Sequence, residues 1–365
     1  MQSRTSSSIT SIRILLAASV LSAFSLVVAG LRLPFLATLL TLPVALLAAY
    51  AVVRAWVGMP PTITGNVLEK RYGDLRYQLV AMPINHFGER LRWCMDLLAV
   101  PYEETDVGGI LSIFLRGRTV PWLVDRQSRS VIGNSEEALW YLSAVHVPTI
   151  DGPGKRAAEA LLHRDARTMA WEDQLNAIGH AVQGWVYFYF LGPSGEREHC
   201  LRMWGGLEPH VPTWQRWILR AGYPVLRQGM RKAFNLGNLA QHEKRRAILD
   251  RAIRDVEAAL TQSGGPFLFG DSLSYVDVSV CALMGPLMHT EVLPLWARGR
   301  FTSLMPLVDS PTWPEPLTRF AEELTARPFG QYILRTYRDH RDQALVPNPP
   351  RPKSRKPYVD VLPVD

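Results

Sequence analysis

The first pattern along the chain is a pair of long apolar runs near its start. Residues 14–31 and 33–53 contain no charged residue, and each run is near the length that crosses about 30 Å of hydrocarbon. Little more than Arg32 and Pro34 separates them. The pattern predicts a transmembrane helical hairpin inside a membrane anchor of residues 1–58.

Charge around the two runs predicts their orientation. Arginines and lysines flank the pair on both sides and are sparse in the turn, so the positive-inside rule places both flanks in the cytoplasm. The expected location is the inner (cytoplasmic) membrane, with everything after about residue 55 on the cytoplasmic side. Two alternatives stay open. The first run could be a cleaved signal peptide, or Pro34 and Pro43 could turn the second into an interfacial segment.

After a linker over residues 59–74, the pattern changes to short apolar runs. Strands are predicted over 76–83 and 101–107, with a loop over 84–90 and a helix over 90–100 between them. A hairpin follows, with strands at 122–124 and 131–132, and residues 133–135 open a helix. The order β-α-β, connection, β-β-α predicts a small α/β domain over residues 75–146.

From residue 154 to residue 340 the periodicity is helical. Helices are predicted over 155–191, 213–234, 241–262, 276–288 and 315–326. Ser274 and Asp277 have the spacing of a capping box at the start of the fourth. The Pro-rich, basic tail over 345–365 is predicted to be disordered.

Composition narrows the classes of function. The net charge is +7, but the aromatic residues do not accompany Lys/Arg clusters and no nucleic-acid-binding motif is present, so nucleic acid is not expected as a partner. Cys94, Cys200 and Cys281 are far apart, which argues against a disulfide framework or a zinc site and fits a reducing compartment. The nine histidines lack metal-ligand spacing, and no metal is expected.

Three motifs resemble those of the glutathione transferase family. They are Val120-Pro121 directly before a strand, NSEEALWYL at 134–142, and FLFGDSLSYVDVSV at 267–280. The resemblance covers about residues 76–330. It implies an α/β thioredoxin-like domain followed by an all-α helical domain, and glutathione as co-substrate.

The resemblance also implies a binding site. Pro121 would be a cis proline, the backbone of Val120 would pair with the cysteinyl part of glutathione, and Asn134 and Ser135 would hold its γ-glutamyl group at a helix N-terminus. Asn134 replaces the acidic residue that usually precedes the serine, which removes a partner for the γ-glutamyl ammonium. The alternative is that Pro121 only shapes a turn and Ser135 only caps a helix.

The position that usually activates the glutathione thiol falls near Asn85, with His86 next to it. No Ser, Cys or Tyr stands between residues 80 and 90, and Cys94 lies too deep in the predicted helix to be the nucleophile. An asparagine amide could donate a hydrogen bond to a thiolate, and His86 could stabilise one electrostatically. Asn85 and His86 are therefore the catalytic candidates.

Two functions follow from this resemblance. The first is a membrane-anchored glutathione transferase that conjugates glutathione, or transfers its thiol, to a small hydrophobic electrophile. Trp171 and Tyr187 are the candidates for the second-substrate pocket. The second is a non-catalytic, metaxin-like scaffold or binding module at a membrane, which Asn85 and Asn134 favour. A homodimer is left open.

Overall fold

A computed structural model of the 365-residue chain describes residues 75–82, 84–109, 111, 120–193, 195–288, 314–341 and 343–346. The predicted hairpin, the linker and residues 347–365 of the predicted tail lie outside the described residues. Within the described ranges, no helix combines the length and apolar character needed to span a membrane.

The N-terminal part of the described chain contains one small mixed sheet. The spatial order of its strands is β2-β1-β3-β4. The strands are β1 (Tyr77–Ala81), β2 (Tyr102–Asp106), β3 (Trp122–Asp125) and β4 (Ser130–Gly133). β1 is parallel to β2 and antiparallel to β3, and β3 and β4 form an antiparallel hairpin. The helices α1 (His86–Leu97) and α2 (Ser135–Tyr141) complete the unit. The predicted β-α-β and β-β-α order is confirmed, and it is consistent with a thioredoxin-like arrangement.

Alternation along β1 separates the two faces of the sheet. Tyr77, Leu79 and Ala81 belong to the main hydrophobic core, whereas Val80 belongs to a second cluster with Val120, Trp122 and Val124. Both faces of the sheet are therefore covered by other residues. Because a shift of one residue would move every β1 side chain to the opposite face, the packing fixes the register of β1.

The helix after β1 starts earlier than the sequence pattern predicted. Residues 84–90 were expected to form a loop, but α1 begins at His86. Asn85 is its N-cap, and its side-chain oxygen accepts a hydrogen bond from the Gly88 N–H at 2.8 Å. Gly88 in the first turn weakens the helical pattern of the sequence, although the Asn85 cap starts the helix there.

The rest of the described chain is helical, as predicted. The further helices are α3 (Pro153–Leu161), α4 (Ala166–Phe190), α5 (Arg197–Met203), α6 (Thr213–Ala221), α7 (Tyr223–Ala233), α8 (Leu239–Ser263), α9 (Tyr275–Met284), α10 (Glu315–Ala326) and α11 (Pro328–His340). Of the predicted tail, Leu345 is described, and its N–H donates to the Leu97 carbonyl at 2.9 Å.

Several predicted helices have different limits. The one over 155–191 is two helices, because Asp165 and Thr168 form a reciprocal capping box that starts α4. The one over 213–234 is also two helices, which meet at Gly222. The sequence pattern missed α5 and α11.

The predicted capping box at the start of α9 is confirmed. The Ser274 hydroxyl accepts a hydrogen bond from the Asp277 N–H, and the Asp277 carboxylate accepts one from the Ser274 N–H at 2.9 Å. The same carboxylate accepts hydrogen bonds from the Leu268 N–H at 2.8 Å and the Tyr332 hydroxyl at 2.7 Å. Asp277 therefore joins three segments around the central helix α9.

Candidate functional site

A cavity of about 170 Å³ lies where the sheet meets the helices. From the side of the sheet it is lined by Asn85, His86 and Val120, and from the helical side it is lined by residues that include Tyr187 and Trp204. Its walls are predominantly apolar, and a few polar groups point to it from two directions. Such a concave apolar site with convergent polar groups is the usual form of a small-molecule site.

The sheet register brings the predicted site segments together. Trp122 pairs with Gly133 at the end of the β3–β4 ladder, and Val80 pairs with Trp122 across β1 and β3. Residue 82 and the segments 84–86, 120–121 and 134–135 therefore all lie at one edge of the sheet. All six predicted site residues lie in these segments, and three of them, Asn85, His86 and Val120, line the cavity.

Asn85 stands at the N-terminus of α1 and is buried. Because its Oδ1 accepts the Gly88 N–H, Nδ2 is the atom of its side chain that can donate to a ligand. The N–H groups of His86 and Phe87 belong to the first helical turn, which has no intrahelical acceptors. With the helix dipole, these donors favour an anion such as a thiolate.

His86 is neutral at physiological pH. Burial lowers the pKa of its imidazole to about 4, although the bond to the Gly179 carbonyl works in the opposite direction. Nε2 lies 3.1 Å from that carbonyl oxygen, so Nε2 is the protonated nitrogen and Nδ1 is an acceptor. The expected electrostatic stabilisation of a thiolate by a charged His86 is therefore not supported.

Val120 and Pro121 come directly before β3. The peptide bond between them is cis, as the resemblance implies. Val120 is buried and lines the cavity, and it precedes the first residue of β3 that pairs with β1, Trp122. Its backbone is thus placed beside the cavity and outside that ladder.

Ser135 is not the residue that caps α2. Asn134 is the N-cap, and its Oδ1 accepts the Glu137 N–H at 2.8 Å, while Ser135 is the first helical residue and is 2 % exposed. Asn134 has φ 55° and ψ 161°. For a residue other than glycine, such a backbone costs about 1–3 kcal/mol and is typical of functional sites. Capping therefore does not account for Ser135.

The helical wall contains one of the two aromatic candidates. Tyr187 lines the cavity, and its hydroxyl accepts a hydrogen bond from the Trp204 Nε1–H at 3.2 Å. Trp171 packs against the core and does not line this cavity. Sequence reasoning missed His180 and Gln183, although their spacing of seven and four residues from Tyr187 would have placed them on the same face of α4.

The thiols of the chain are not available as nucleophiles. Cys94, Cys200 and Cys281 are buried and free. Burial raises the pKa of Cys94 to about 12 and that of Cys200 to about 11, and it raises the pKa of Cys281 as well. In the described part of the chain, no group of three or more His, Cys, Asp or Glu side chains is arranged to hold a metal ion.

No family model and no curated protein sequence matches this chain. Similar solved structures include a glutathione S-transferase from Ceriporiopsis subvermispora in complex with glutathione, at 14 % identity and a TM-score of 0.38, which covers 70 % of this chain and 97 % of its own. The β-etherase LigF from Sphingobium sp. strain SYK-6 has 14 % identity and a TM-score of 0.38, and covers 72 % and 99 %.

A glutathione transferase family member from Pseudomonas fluorescens pf-5 with two glutathione bound has 13 % identity and a TM-score of 0.39, and covers 73 % of this chain and 96 % of its own. Likenesses at this level do not assign a function, so the function has to be argued from the geometry of the site itself.

Proposed function

We propose that the chain is a membrane-anchored glutathione transferase-like protein that joins glutathione to a small hydrophobic electrophile. The observation that supports this most is the common edge of the sheet. The N-terminus of α1 at Asn85, the backbone of Val120 and the strained Asn134-Ser135 step leave the sheet there together, and an apolar cavity opens beside the first two.

In this proposal each part of glutathione has its own partner. The cysteinyl backbone pairs with Val120, the γ-glutamyl carboxylate binds at Ser135, and the thiol lies at the N-terminus of α1. There the Asn85 Nδ2–H and the first-turn N–H groups lower the thiol pKa. The thiol proton goes to solvent, the sulfur forms a bond to an electrophilic carbon in the cavity, and the displaced group leaves with its electron pair.

Membrane attachment is a separate part of the proposal. It rests on the two uncharged runs at 14–31 and 33–53 and on the basic residues that flank them. A hydrophobic electrophile partitions into a bilayer, so a site tethered to the cytoplasmic side of a membrane meets a high local concentration of such substrates. The homodimer that the resemblance leaves open stays a prediction.

A second function, a non-catalytic binding module at a membrane, has its own supporting observation. The Oδ1 atom of Asn85 is committed to the cap of α1, and His86 is uncharged at neutral pH. The thiol then has one amide donor and no cationic side chain from these two residues. This site could bind glutathione without activating it.

Calorimetric titration of glutathione into the purified full chain tests the proposal. We expect saturable binding that Ser135→Ala abolishes, because the first residue of α2 then offers no hydroxyl to the γ-glutamyl carboxylate. Ser128→Ala, in the turn at the opposite end of the β3–β4 hairpin, is the matched control and should bind like the wild type. Absence of binding at millimolar glutathione would refute glutathione as the ligand and leave the binding-module function.

A further inference from the structure

Helix α6 has an apolar face that is turned to solvent. Trp214, Trp217 and Ile218 are 52 %, 70 % and 37 % exposed, and their i, i+3, i+4 spacing places them on one side of the helix. The opposite side, with Gln215 and Leu219, is buried. We call the three exposed residues the tryptophan face.

The tryptophan face lies in a strongly basic stretch. Residues 209–242 contain no Asp or Glu and five basic residues, which are Arg216, Arg220, Arg227, Arg231 and Lys232. None of the five forms an ion pair with a carboxylate of the described residues. Arg227 and Arg231 instead donate to uncharged acceptors, the Leu191 and Gly192 carbonyls at the end of α4. Arg220 and Lys232 are exposed.

Helix α6 contacts a segment that lines the cavity, and helix α7 contributes one residue to the cavity wall. On the buried side of α6, the Gln215 Oε1 accepts the Gly108 N–H at 2.7 Å, and the next residue, Gly109, lines the cavity. Met230 of α7 lines it too. The buried side of α6 therefore contacts the residue next to one that lines the cavity.

We propose that the tryptophan face is a docking surface for an anionic lipid bilayer. Tryptophan prefers the boundary between water and hydrocarbon, and surrounding arginines and lysines are attracted to anionic headgroups. A basic residue near such a surface contributes about 1 kcal/mol. Arg220 and Lys232 are exposed in a stretch without Asp or Glu, so the charge of the stretch complements an anionic membrane.

The sequence before the described residues also supports a bilayer as the partner of the tryptophan face. Residues 14–31 and 33–53 are the uncharged runs, and the described structure starts at Leu75. A linker over 59–74 reaches at most about 55 Å, so an anchored body stays close to the bilayer. At that effective concentration, weak interfacial binding is well populated. This docking rests on the membrane attachment of the proposed function but requires no glutathione, and it brings α6 to the lipid surface.

Spin labels on the full chain in proteoliposomes test the docking. Trp217→Cys is labelled on the tryptophan face, and Arg251→Cys, on an α8 side chain that is 74 % exposed, is the control position. The native cysteines are buried and should not compete for the label. Thr213→Cys is labelled in parallel because it retains both tryptophans. The vesicles are phosphatidylcholine alone or mixed with phosphatidylglycerol.

With anionic lipid, we expect labels at 213 and 217 to collide more with oxygen than with an aqueous nickel complex, by about threefold or more, and the label at 251 to show the reverse. High salt or Lys232→Glu should shift the labels on α6 back toward water, and Lys244→Glu, the same change on α8, should not. Labels at 213 and 217 that stay aqueous in both vesicles would overturn the proposal. So would labels shielded from both reagents, because protein then covers the face. Glutathione titration is independent of either outcome.

Discussion

Asn85 uses the two ends of one amide for different purposes. Its Oδ1 caps α1 through the Gly88 N–H, while its Nδ2 is the side-chain donor beside the cavity. Substitutions that keep the cap and change the donor can therefore separate stability from thiol activation, because asparagine, aspartate and serine are all good N-caps.

Asn85→Asp keeps an acceptor for the Gly88 N–H and replaces the donor with a negative charge. We expect an unchanged free energy of unfolding, and a thiol pKa of bound glutathione that rises by about 1 unit or more, which corresponds to about 1.4 kcal/mol. Absorbance of the bound thiolate across a pH series measures it. Asn85→Ser, which keeps both a cap and a donor, should lower the thiol pKa relative to Asn85→Asp. Equal values for both variants would show that residue 85 does not stabilise the thiolate.

His86 makes stability depend on pH. Its folded-state pKa of about 4 lies below the ordinary value of 6.5, so between these values the unfolded chain binds more protons and stability falls as the pH falls. His86→Gln retains an N–H for the Gly179 carbonyl and cannot titrate. From pH 7 to pH 4 the variant should lose about 1–3 kcal/mol less unfolding free energy than the wild type, as measured by urea denaturation. Parallel pH profiles would contradict this account.

His242 also has a pKa lowered to about 4, mainly by burial and then by Arg245 and Arg246. It titrates in the same window in both proteins, so its contribution cancels in the difference between wild type and variant. The comparison therefore isolates His86.

At the scale of elements, one buried carboxylate holds the N-terminus of α9 in place. Asp277 is fully buried and accepts hydrogen bonds from Leu268, Ser274 and Tyr332. A cap is normally a local device, but this one also holds a preceding turn and the helix α11. Its loss should cost more than the usual 1 kcal/mol of a cap.

Asp277→Ala leaves several buried donors without an acceptor, and we expect it to lower the free energy of unfolding by about 3 kcal/mol or more. Asp277→Asn keeps one acceptor oxygen and should cost less. Asp173→Ala, at an exposed position of α4, is the control and should change little. Urea denaturation measures all three, and equal midpoints for Asp277→Ala and Asp173→Ala would contradict the role assigned to Asp277.

At the scale of the whole molecule, Arg341 connects the end of the described helical half to the sheet unit. It is 1 % exposed and donates to Glu89 at 2.5 Å and to Asp96 at 2.7 Å, both on α1. Burial works against its charge, but these two carboxylates outweigh burial and raise the pKa of the guanidinium. Since Asn85 caps α1, this pairing also helps to position the candidate site.

Arg341→Met removes the guanidinium that joins two buried carboxylates, of which Glu89 keeps its pair with Arg92, and should lower the free energy of unfolding by about 3–5 kcal/mol. Amide hydrogen exchange in α1 should accelerate as well, because the helix loses its anchor to the C-terminal segment. Arg338→Ala, whose exposed side chain pairs with Asp339, is the control. Unchanged exchange in α1 would show that Arg341 does not couple the two halves.

The features that the sequence predicted correctly depend on short-range interactions. The β3–β4 hairpin, the start of β3 directly after Val120-Pro121 and the Ser274–Asp277 box depend on residues a few positions apart, and all three were predicted. The start of α1 and the break at Asp165 were missed, although their signals are local. At α1, Gly88 interrupts the helical pattern next to the Asn85 cap. At Asp165, the helical periodicity continues across the capping box, so the pattern predicted one helix.

The sequence by itself determined the order of elements in the α/β unit and the charge of the 209–242 stretch, because periodicity, caps and composition are properties of neighbouring residues. The six candidate site residues were predicted from the resemblance of the sequence motifs. Only the tertiary structure decided that His86 is neutral, that Tyr187 rather than Trp171 faces the cavity, and that Trp214 and Trp217 remain exposed. Each of these depends on burial by segments far away in the chain, such as Gly179 against His86. Desolvation and packing are set by the whole fold, so no local pattern contains them.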